Sequence, residues 1–340
     1  MKQIIAYILV ISALFSCGKK TQNKTEKTEF TNDILLKTTP VKDQGHSRIC
    51  WIYGMLATIE TDRLMLGDSV NLSPAYIERK MLEEQSNDYY LKMGMEKLNA
   101  GGVSSMTLKI MEKDGIVPYD SYPNTDNLNH NALLRKIFQA DKAAINQAIG
   151  LKQMQKNLTS LLDNNLGFLP KNVYMLGAEY TKVEFAHSVY KPGSYISMTS
   201  FTHHPFNSTF ILEVPDNRYK MPFLNVTINK LVATIYKSIS HGHAVCWEGD
   251  VSEPGFSFES GKADVKPYES TSQIHRQQEF EKFLTTDDHV MEIVGIAHDK
   301  KGHKYFIAKN SWGTSNPYSG FMYLSEDYIR LKTIAIFCLK

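Results

Sequence analysis

The 340-residue sequence is poor in cysteine, in net charge and in long apolar runs, and each shortage excludes a class of protein. Four cysteines are too few for a small secreted scaffold held together by disulfides. A formal net charge of +2, with acidic and basic residues interspersed, gives no basic surface for nucleic acid. The apolar run near the N-terminus is too short for a mature membrane-spanning helix. A hydrophobic content of 42% is instead enough for one large or two medium cores.

The N-terminus has the features of a secretory signal. Lys2 precedes the apolar run IIAYILVISALF at 4–15, and small residues follow it. The tetrad LFSC at 14–17 is similar to a bacterial lipoprotein box, although Phe15 is a less usual occupant. We therefore expect a signal peptide at 1–16, a lipid on Cys17 and a flexible polar tether at 17–35, which would hold the protein on the bacterial cell envelope. An ordinary signal peptide with an incidental Cys17 is the alternative.

Cys50 stands at the start of a segment with helical spacing of its apolar residues, which are Ile52, Met55, Leu56, Ile59 and Leu66. A helix N-terminus and a neighbouring imidazolium together can hold a cysteine as thiolate with a pKa roughly as low as 3–4. Gln44 lies upstream, and His289 and Asn310 lie far downstream. Cys50, His289 and Asn310 follow one another in the order of a nucleophile, a base and an amide that orients the base. This order predicts nucleophilic catalysis by Cys50.

Four segments carry a resemblance to the papain-like cysteine peptidases. They are PVKDQGHSRICW at 40–51, NAGGVSSMTLKIMEKDGIVPYDSYP at 99–123, DDHVMEIVGIAHD at 287–299 and KNSWGTSNPYSGFMYLS at 309–325. Two further segments are similar to the bleomycin hydrolase and aminopeptidase C branch: YISMTSFTHHPFNSTFILEVPDN at 195–217 and HAVCWEGDVSEPGF at 243–256. Arg48 and Ile49 depart from the small residues that papain has before its nucleophile, which affects the expected width of the cleft.

The resemblance implies a role for each site residue. Cys50 would be the nucleophile, His289 the base, Asn310 its orienting partner and Gln44 a donor to the oxyanion. Trp51 and Trp312 would support the site, Trp312 by shielding the His–Asn hydrogen bond from water. Gly101 and Gly102 would bind the substrate backbone like an added strand, since only glycine permits so close an approach. The side-chain pocket next to the scissile bond would be mainly apolar and lined by Val103, Ser104 and Val290.

The expected fold is α+β, with a helical left lobe and a β-rich right lobe as in papain. The Cys half would occupy 36–124 and the His and Asn half 233–340, with a helical and β insertion at 125–232 between them. Far more sequence separates Cys50 from His289 than the roughly 130–150 residues of compact papains, and this accounts for the insertion. Cys246 and Cys338 lie in apolar strand patterns, which favours two buried thiols over a disulfide.

No cofactor or metal is expected, and the substrate would be a peptide or protein. His203 and His204 are interpreted as part of a structural loop. His241 and His243 with Cys246 have ligand-like spacing, but no second ligand pair follows.

The predicted activity is peptide-bond hydrolysis through a covalent acyl-enzyme. In the bleomycin hydrolase branch a C-terminal arm enters the cleft and its carboxylate meets the amine of the substrate. Here the last strand pattern leaves only Lys340 beyond it, so we expect an open cleft and an endopeptidase. An exopeptidase of the aminopeptidase C type is the alternative. From other classes, an inactive papain-like binding lipoprotein and an acyltransferase or amidase with the same residues remain open.

Overall fold

The computed structural model describes residues 30–175 and 177–340. Its helices are α1 (Cys50–Met65), α2 (Pro74–Leu91), α3 (Ser105–Asp114), α4 (His130–Asn146), α5 (Leu151–Leu166), α6 (Lys182–Val189), α7 (Ile228–Ser240), α8 (Gln273–Glu281) and α9 (Glu326–Lys332). Its strands are β1 (Phe30–Leu35), β2 (Val173–Met175), β3 (Ala178–Tyr180), β4 (Tyr195–Thr199), β5 (Thr209–Ile211), β6 (Pro222–Asn225), β7 (Val245–Gly249), β8 (Phe256–Ser257), β9 (Lys262–Ala263), β10 (His289–Asp299), β11 (Lys304–Lys309), β12 (Phe321–Ser325) and β13 (Thr333–Leu339).

Helices α1, α2 and α3 form one lobe in which α1 is central, and the helix predicted to start at Cys50 is confirmed. The side chains of α1 are buried on nearly every side, as expected of a central helix. Helix α2 begins with the Ser73 side chain accepting a hydrogen bond from the Tyr76 N–H, followed by Pro74 at the first turn. Helix α3 ends at Gly115, whose φ of 83° suits glycine and stops the helix.

The region expected as an insertion begins with two amphipathic helices, α4 and α5. The chain breaks between them at Ala148 and Gly150, both with positive φ. The buried face of α5 consists of Met154, Leu158, Leu162 and Leu166, and it packs against α2. The buried Arg79 of α2 joins the same helices, because its guanidinium contacts Asp163 at 2.8 Å.

The second lobe is built on one large sheet with the order β5-β6-β4-β13-β7-β10-β11-β12-β9-β8 among the described residues. β10 is the longest strand and pairs antiparallel with β11 along most of its length. On its other edge it pairs with β7 near His289 and with β1 near Asp299. The predicted strands of the His and Asn half are confirmed, and the architecture is the expected α+β arrangement of two lobes.

Two predicted boundaries are wrong. The tether expected at 17–35 ends before Phe30, since residues 30–35 form β1 and the Phe30 ring stacks on Tyr323 at 4.0 Å. The insertion expected at 125–232 does not stand apart from the second lobe. Its strand β4 pairs with β13, because the apolar edge of β13 needs partners for its backbone groups. Helix α7 also crosses the boundary at 232.

The cysteines follow the prediction where they are described. Cys50, Cys246 and Cys338 are free thiols, and the latter two are buried. Cys17, the signal peptide and the rest of the tether lie outside the described residues. No described helix is both long enough and apolar enough to cross a membrane.

Candidate active site

Cys50 lies at the N-terminus of α1, where this helix meets the second lobe. The contact is close: a Cβ added to Gly54 would lie 2.4 Å from the Val290 Cγ1 atom of β10. Trp51 is fully buried, and its indole N–H donates to the Ala100 carbonyl at 3.0 Å. These contacts fix the first turn of α1 and leave the half-buried thiol in the cleft between the lobes.

His289 begins β10 and is oriented by Asn310. The Nε2 atom of His289 lies 2.7 Å from Asn310 Oδ1, and the same oxygen accepts the Ser311 N–H at 2.7 Å. The Trp312 ring lies 4.4 Å from the imidazole and covers it. Because the Nε2 atom of His289 contacts Asn310, its Nδ1 atom remains for the thiol. Cys50 and His289 both line one cleft of about 420 Å³.

Gln44 is held by its backbone and its side chain. Its N–H donates to the Ser311 carbonyl at 2.9 Å, its Oε1 accepts from Ser311 Oγ at 2.6 Å, and its Nε2 donates to the Ser47 carbonyl at 2.9 Å. The second Nε2 hydrogen remains for a ligand in the cleft that Gln44 and Cys50 both line. The arrangement matches an oxyanion site formed with the Cys50 N–H.

Burial shifts the pKa of both reacting groups toward the neutral pair. Desolvation, followed by the charges of Asp287 and Glu248, raises the pKa of the Cys50 thiol to about 12. Desolvation lowers the pKa of His289 to about 4, against the Asn310 hydrogen bond that raises it. Transfer of the proton from Cys50 to His289 creates thiolate and imidazolium side by side, so each charge offsets the desolvation of the other. The thiolate also gains from the N-terminus of α1.

Gly102 forms one wall of the cleft and Gly101 precedes it, and neither position accepts a side chain without rearrangement. A Cβ on Gly102 would lie 2.7 Å from Trp51 Cε2, and one on Gly101 would lie 2.2 Å from Asp216 Oδ2. This close packing requires glycine at both positions, and binding of a substrate backbone there stays a prediction.

The pocket expected to be mainly apolar contains acidic groups instead. Val103 and Ser104 are fully buried, and Ser104 hydrogen-bonds to Glu248 behind the wall. Val290 lines the cleft together with Asp216, Asp287 and Asp288. The expectation of an apolar pocket was wrong because it considered only residues that flank Gly102 and His289. The pair Asp287-Asp288 directly before His289 was the signal that sequence reasoning missed.

The histidines discounted as metal ligands have protein partners. His203, His204 and Glu213 bring their ligand atoms within 4.8 Å of one another. However, Gln277 Oε1 accepts the Thr202 N–H at 2.6 Å, so its Nε2 must donate to His203 Nδ1, 2.9 Å away. The His203 Nε2–H then faces Glu213 at 3.2 Å as a donor and not as a metal ligand. Cys246 is buried and donates to Ser104.

Comparison with known proteins places this site in context. Residues 170–336, which include His289 and Asn310, match the Peptidase C1-like family. Aminopeptidase C from Lactobacillus delbrueckii subsp. lactis is 24% identical, with 93% of this chain and 83% of the relative covered. Aminopeptidase E from Lactobacillus helveticus is 22% identical, with 86% and 79% covered. The crystal structure of PepW from Lactobacillus rhamnosis HN001 superposes with a TM-score of 0.71 at 20% identity, over 91% of this chain and 82% of the other, which shows a common fold.

Proposed function

We propose that this protein, a papain-like cysteine peptidase, is an aminopeptidase that removes residues from the free N-terminus of peptides. Proteins named aminopeptidases match over most of its length and most of their own. The observation that carries the proposal is the Asp287 carboxyl group on the cleft wall beside Cys50, with Asp216 adding negative charge at the rim. A peptide entering with its α-ammonium first would meet opposite charge there.

The reaction follows from the positions of four side chains. His289 takes the proton of Cys50, and the thiolate forms a C–S bond to the scissile carbonyl while the π electrons move to the oxygen. Gln44 and the Cys50 N–H stabilise that oxyanion. As the C–N bond breaks, His289 protonates the leaving amine. Water then attacks the thioester, giving one proton to His289, and the thiolate leaves. Asn310 keeps the imidazole in position for both transfers.

The location of the C-terminal residue does not decide between exopeptidase and endopeptidase action. β13 begins at Thr333 opposite Gly249, which also pairs with His289. It ends near Ser194, whose carbonyl accepts the Lys340 N–H at 2.9 Å. Lys340 therefore lies at the opposite end of the sheet from His289. The internal carboxylates of the cleft wall offer another way to bind an amine, so we favour the exopeptidase alternative over the endopeptidase expected from the sequence.

One pair of substrates tests the proposal. The same fluorogenic alanyl amide is assayed with a free and with an acetylated N-terminus, under reducing conditions. We expect kcat/KM to be about 100-fold higher for the free amine, a difference of about 2.7 kcal/mol. Equal cleavage of both substrates would contradict aminopeptidase action.

Labelling with an epoxide inhibitor of thiol peptidases is the control. The label should attach to the native chain and not to the Cys50→Ala variant. A chain that takes no label and cleaves no peptide would instead be an inactive binding protein, and label without peptidase activity would favour an acyltransferase or amidase.

We also propose that Cys17 carries a lipid that anchors the enzyme to the bacterial cell envelope. The support is the signal-like N-terminus and the lipoprotein-box-like LFSC at 14–17. Expression of the full chain with a radiolabelled fatty acid should label the native protein and not Cys17→Ala, and only the native protein should sediment with membranes. Equal labelling of the two would contradict the proposal.

A further inference from the structure

A pair of carboxylates, one from β7 and one from the loop before β10, meets beside the cleft. Glu248, on β7, is fully buried, and its Oε2 accepts hydrogen bonds from the backbone N–H and the Oγ of Ser104, both at 3.2 Å. Asp287 lies two residues before His289 and lines the cleft with Cys50. The two side chains are hydrogen-bonded to each other.

The strand pairing directs Glu248 toward the nucleophile. Glu248 is opposite Val290 in the pairing of β7 with β10, and opposite residues of an antiparallel pair share one face. Val290 on that face packs against Gly54 of α1. Glu248 therefore points from the sheet toward the first turn of α1. Its charge and that of Asp287 both raise the pKa of the Cys50 thiol, in agreement with this placement.

The pair lacks donors. Glu248 Oε1 and Asp287 Oδ2 are buried, and apart from the contact between the two carboxyl groups neither accepts a hydrogen bond in the part of the chain that the structure describes. Two carboxylates in contact cannot both be ionised without strong repulsion, so the resting pair holds a proton between them. A cation that carries N–H groups would satisfy both oxygens and replace that proton, which leaves to solvent.

We propose that Glu248 and Asp287 form a binding site for a substrate ammonium group, which in the aminopeptidase reaction is the α-ammonium of the residue to be removed. The assignment of the α-ammonium rests on the proposed function; the site itself rests on the carboxylates. An ammonium has three N–H donors and a full charge, which matches two acceptors that have no other partner.

Covalent geometry requires such a site to lie close to Cys50. The N–Cα and Cα–C bonds measure about 1.46 and 1.52 Å, so the α-ammonium lies within roughly 2.5 Å of the carbon that the thiolate attacks. Asp287 lines the same cleft as the thiol and satisfies this requirement, and the buried Glu248 contacts Asp287. The side-chain ammonium of a lysine in the preceding substrate residue could bind the same carboxylates. The test below distinguishes this side-chain ammonium from the α-ammonium.

Asp216 adds negative charge at the rim and not at the centre of the site. Its Oδ2 lies 3.3 Å from Nη2 of the exposed Arg48, and its Oδ1 accepts from Asn99 Nδ2 at 3.1 Å. These donors already satisfy Asp216, whereas the Glu248–Asp287 pair remains for the substrate.

The test measures how three variants discriminate between free and blocked substrates. Glu248→Gln, Asp287→Asn and the double variant keep the shape of the side chains and remove the charge. Glu259→Gln, which removes an exposed carboxylate of the same lobe, is the matched control. Each enzyme is assayed with alanyl amide, acetyl-alanyl amide, acetyl-lysyl-alanyl amide and acetyl-leucyl-alanyl amide, and active sites are counted by titration with an epoxide inhibitor.

We expect the native enzyme and Glu259→Gln to prefer the free amine about 100-fold in kcat/KM. The three variants should lose at least ten-fold of that preference, although the inhibitor still titrates all of their active sites.

The native enzyme could instead prefer acetyl-lysyl-alanyl amide over acetyl-leucyl-alanyl amide. If the variants lose that preference, the ammonium site is supported and aminopeptidase action is contradicted. Variants that titrate fully and keep the native preferences would overturn the site while leaving the aminopeptidase proposal intact. A native enzyme with neither preference would overturn both. If the active sites of one single variant cannot be titrated, the substrate preferences of the other single variant test the proposal.

Discussion

At the scale of single residues, the four side chains of the active site contribute unequally to the reaction. In the proposed reaction Cys50 and His289 make and break bonds or move protons, whereas Asn310 only orients the imidazole through its 2.7 Å contact. Gln44 would be one of two donors to the oxyanion. Loss of Cys50 or His289 should therefore stop the reaction, whereas loss of Asn310 or Gln44 should raise the activation barrier by an amount that kinetics can measure.

We predict that Cys50→Ala abolishes turnover without loss of the fold, and that His289→Ala nearly does so. Asn310→Ala should be milder, because it transfers no proton itself. Gln44→Ala should lower kcat by on the order of 10²–10³, as for loss of one oxyanion donor. The measurement is steady-state hydrolysis of the alanyl amide with circular dichroism as the control for folding. Near-normal activity of Cys50→Ala would end the interpretation as a thiol peptidase.

A second prediction concerns the reactivity of the thiol. Asp287 and Glu248 both raise the pKa of Cys50, so removing either charge should lower that pKa. The rate of iodoacetamide alkylation at Cys50 depends on the thiolate. Its pH profile should shift to lower pH in Asp287→Asn and in Glu248→Gln, and remain in place in Glu259→Gln. An ammonium ligand should shift the native profile in the same direction. Unmoved profiles in both variants would show that the pair does not act on the thiol.

The residues of the triad were predictable because short motifs carry them, but the acidic pair was not. Glu248 and Asp287 are distant in sequence, and only the register of β7 against β10 brings them together. Asp287 was visible next to His289, yet nothing in the sequence indicated that its partner would be a buried carboxylate. A side chain whose role depends on a long-range contact leaves no local pattern.

At the scale of elements, prediction succeeded where local signals define the boundary. α1 was predicted from Cys50 onward, because the spacing of its apolar residues is a signal within the segment itself. β1 was missed because its sequence FTNDIL has a polar centre. Its place is decided by Phe30 stacking on Tyr323 and by hydrogen bonds to β10, both long-range contacts. The same reason explains why β4 was assigned to an insertion and not to the main sheet.

The cap of α2 yields the third prediction. Ser73 is fully buried, accepts the Tyr76 N–H at 3.1 Å and donates to the Tyr122 carbonyl. Ser73→Ala should cost about 2 kcal/mol of unfolding free energy, about 1 for the cap and about 1 for the buried carbonyl left without a donor. Asn129→Ala removes the exposed cap of α4 and should cost only about 1 kcal/mol. Urea unfolding measures both, and equal costs would contradict the second contribution.

At the scale of the whole molecule, the fold places charge where it destabilises the resting protein. The sheet encloses Glu248, whereas Asp287 lines the cleft. Desolvation raises the pKa of Glu248 to about 7 and that of Asp287 well above its ordinary value. We infer that the charge is kept for its use in binding, which is a trade of stability against function.

The fourth prediction follows from the sign of this shift. Between the ordinary glutamate pKa of 4.5 and about 7, the folded chain keeps a proton on Glu248 that the unfolded chain releases. The free energy of unfolding therefore falls as pH rises through this window, by an amount on the order of a few kcal/mol. Glu248→Gln removes this dependence. His289, with its pKa lowered to about 4, changes stability in the opposite direction. The quantity to compare is therefore the difference in melting temperature between the variant and the native protein.

We expect Glu248→Gln and the native chain to have similar melting temperatures near pH 4.5, and the melting temperature of the variant to rise progressively above that of the native chain up to pH 8. Glu259→Gln should track the native chain at every pH. A difference for Glu248→Gln that stays constant with pH would mean that Glu248 does not titrate in this range, and would contradict a proton shared by the resting pair.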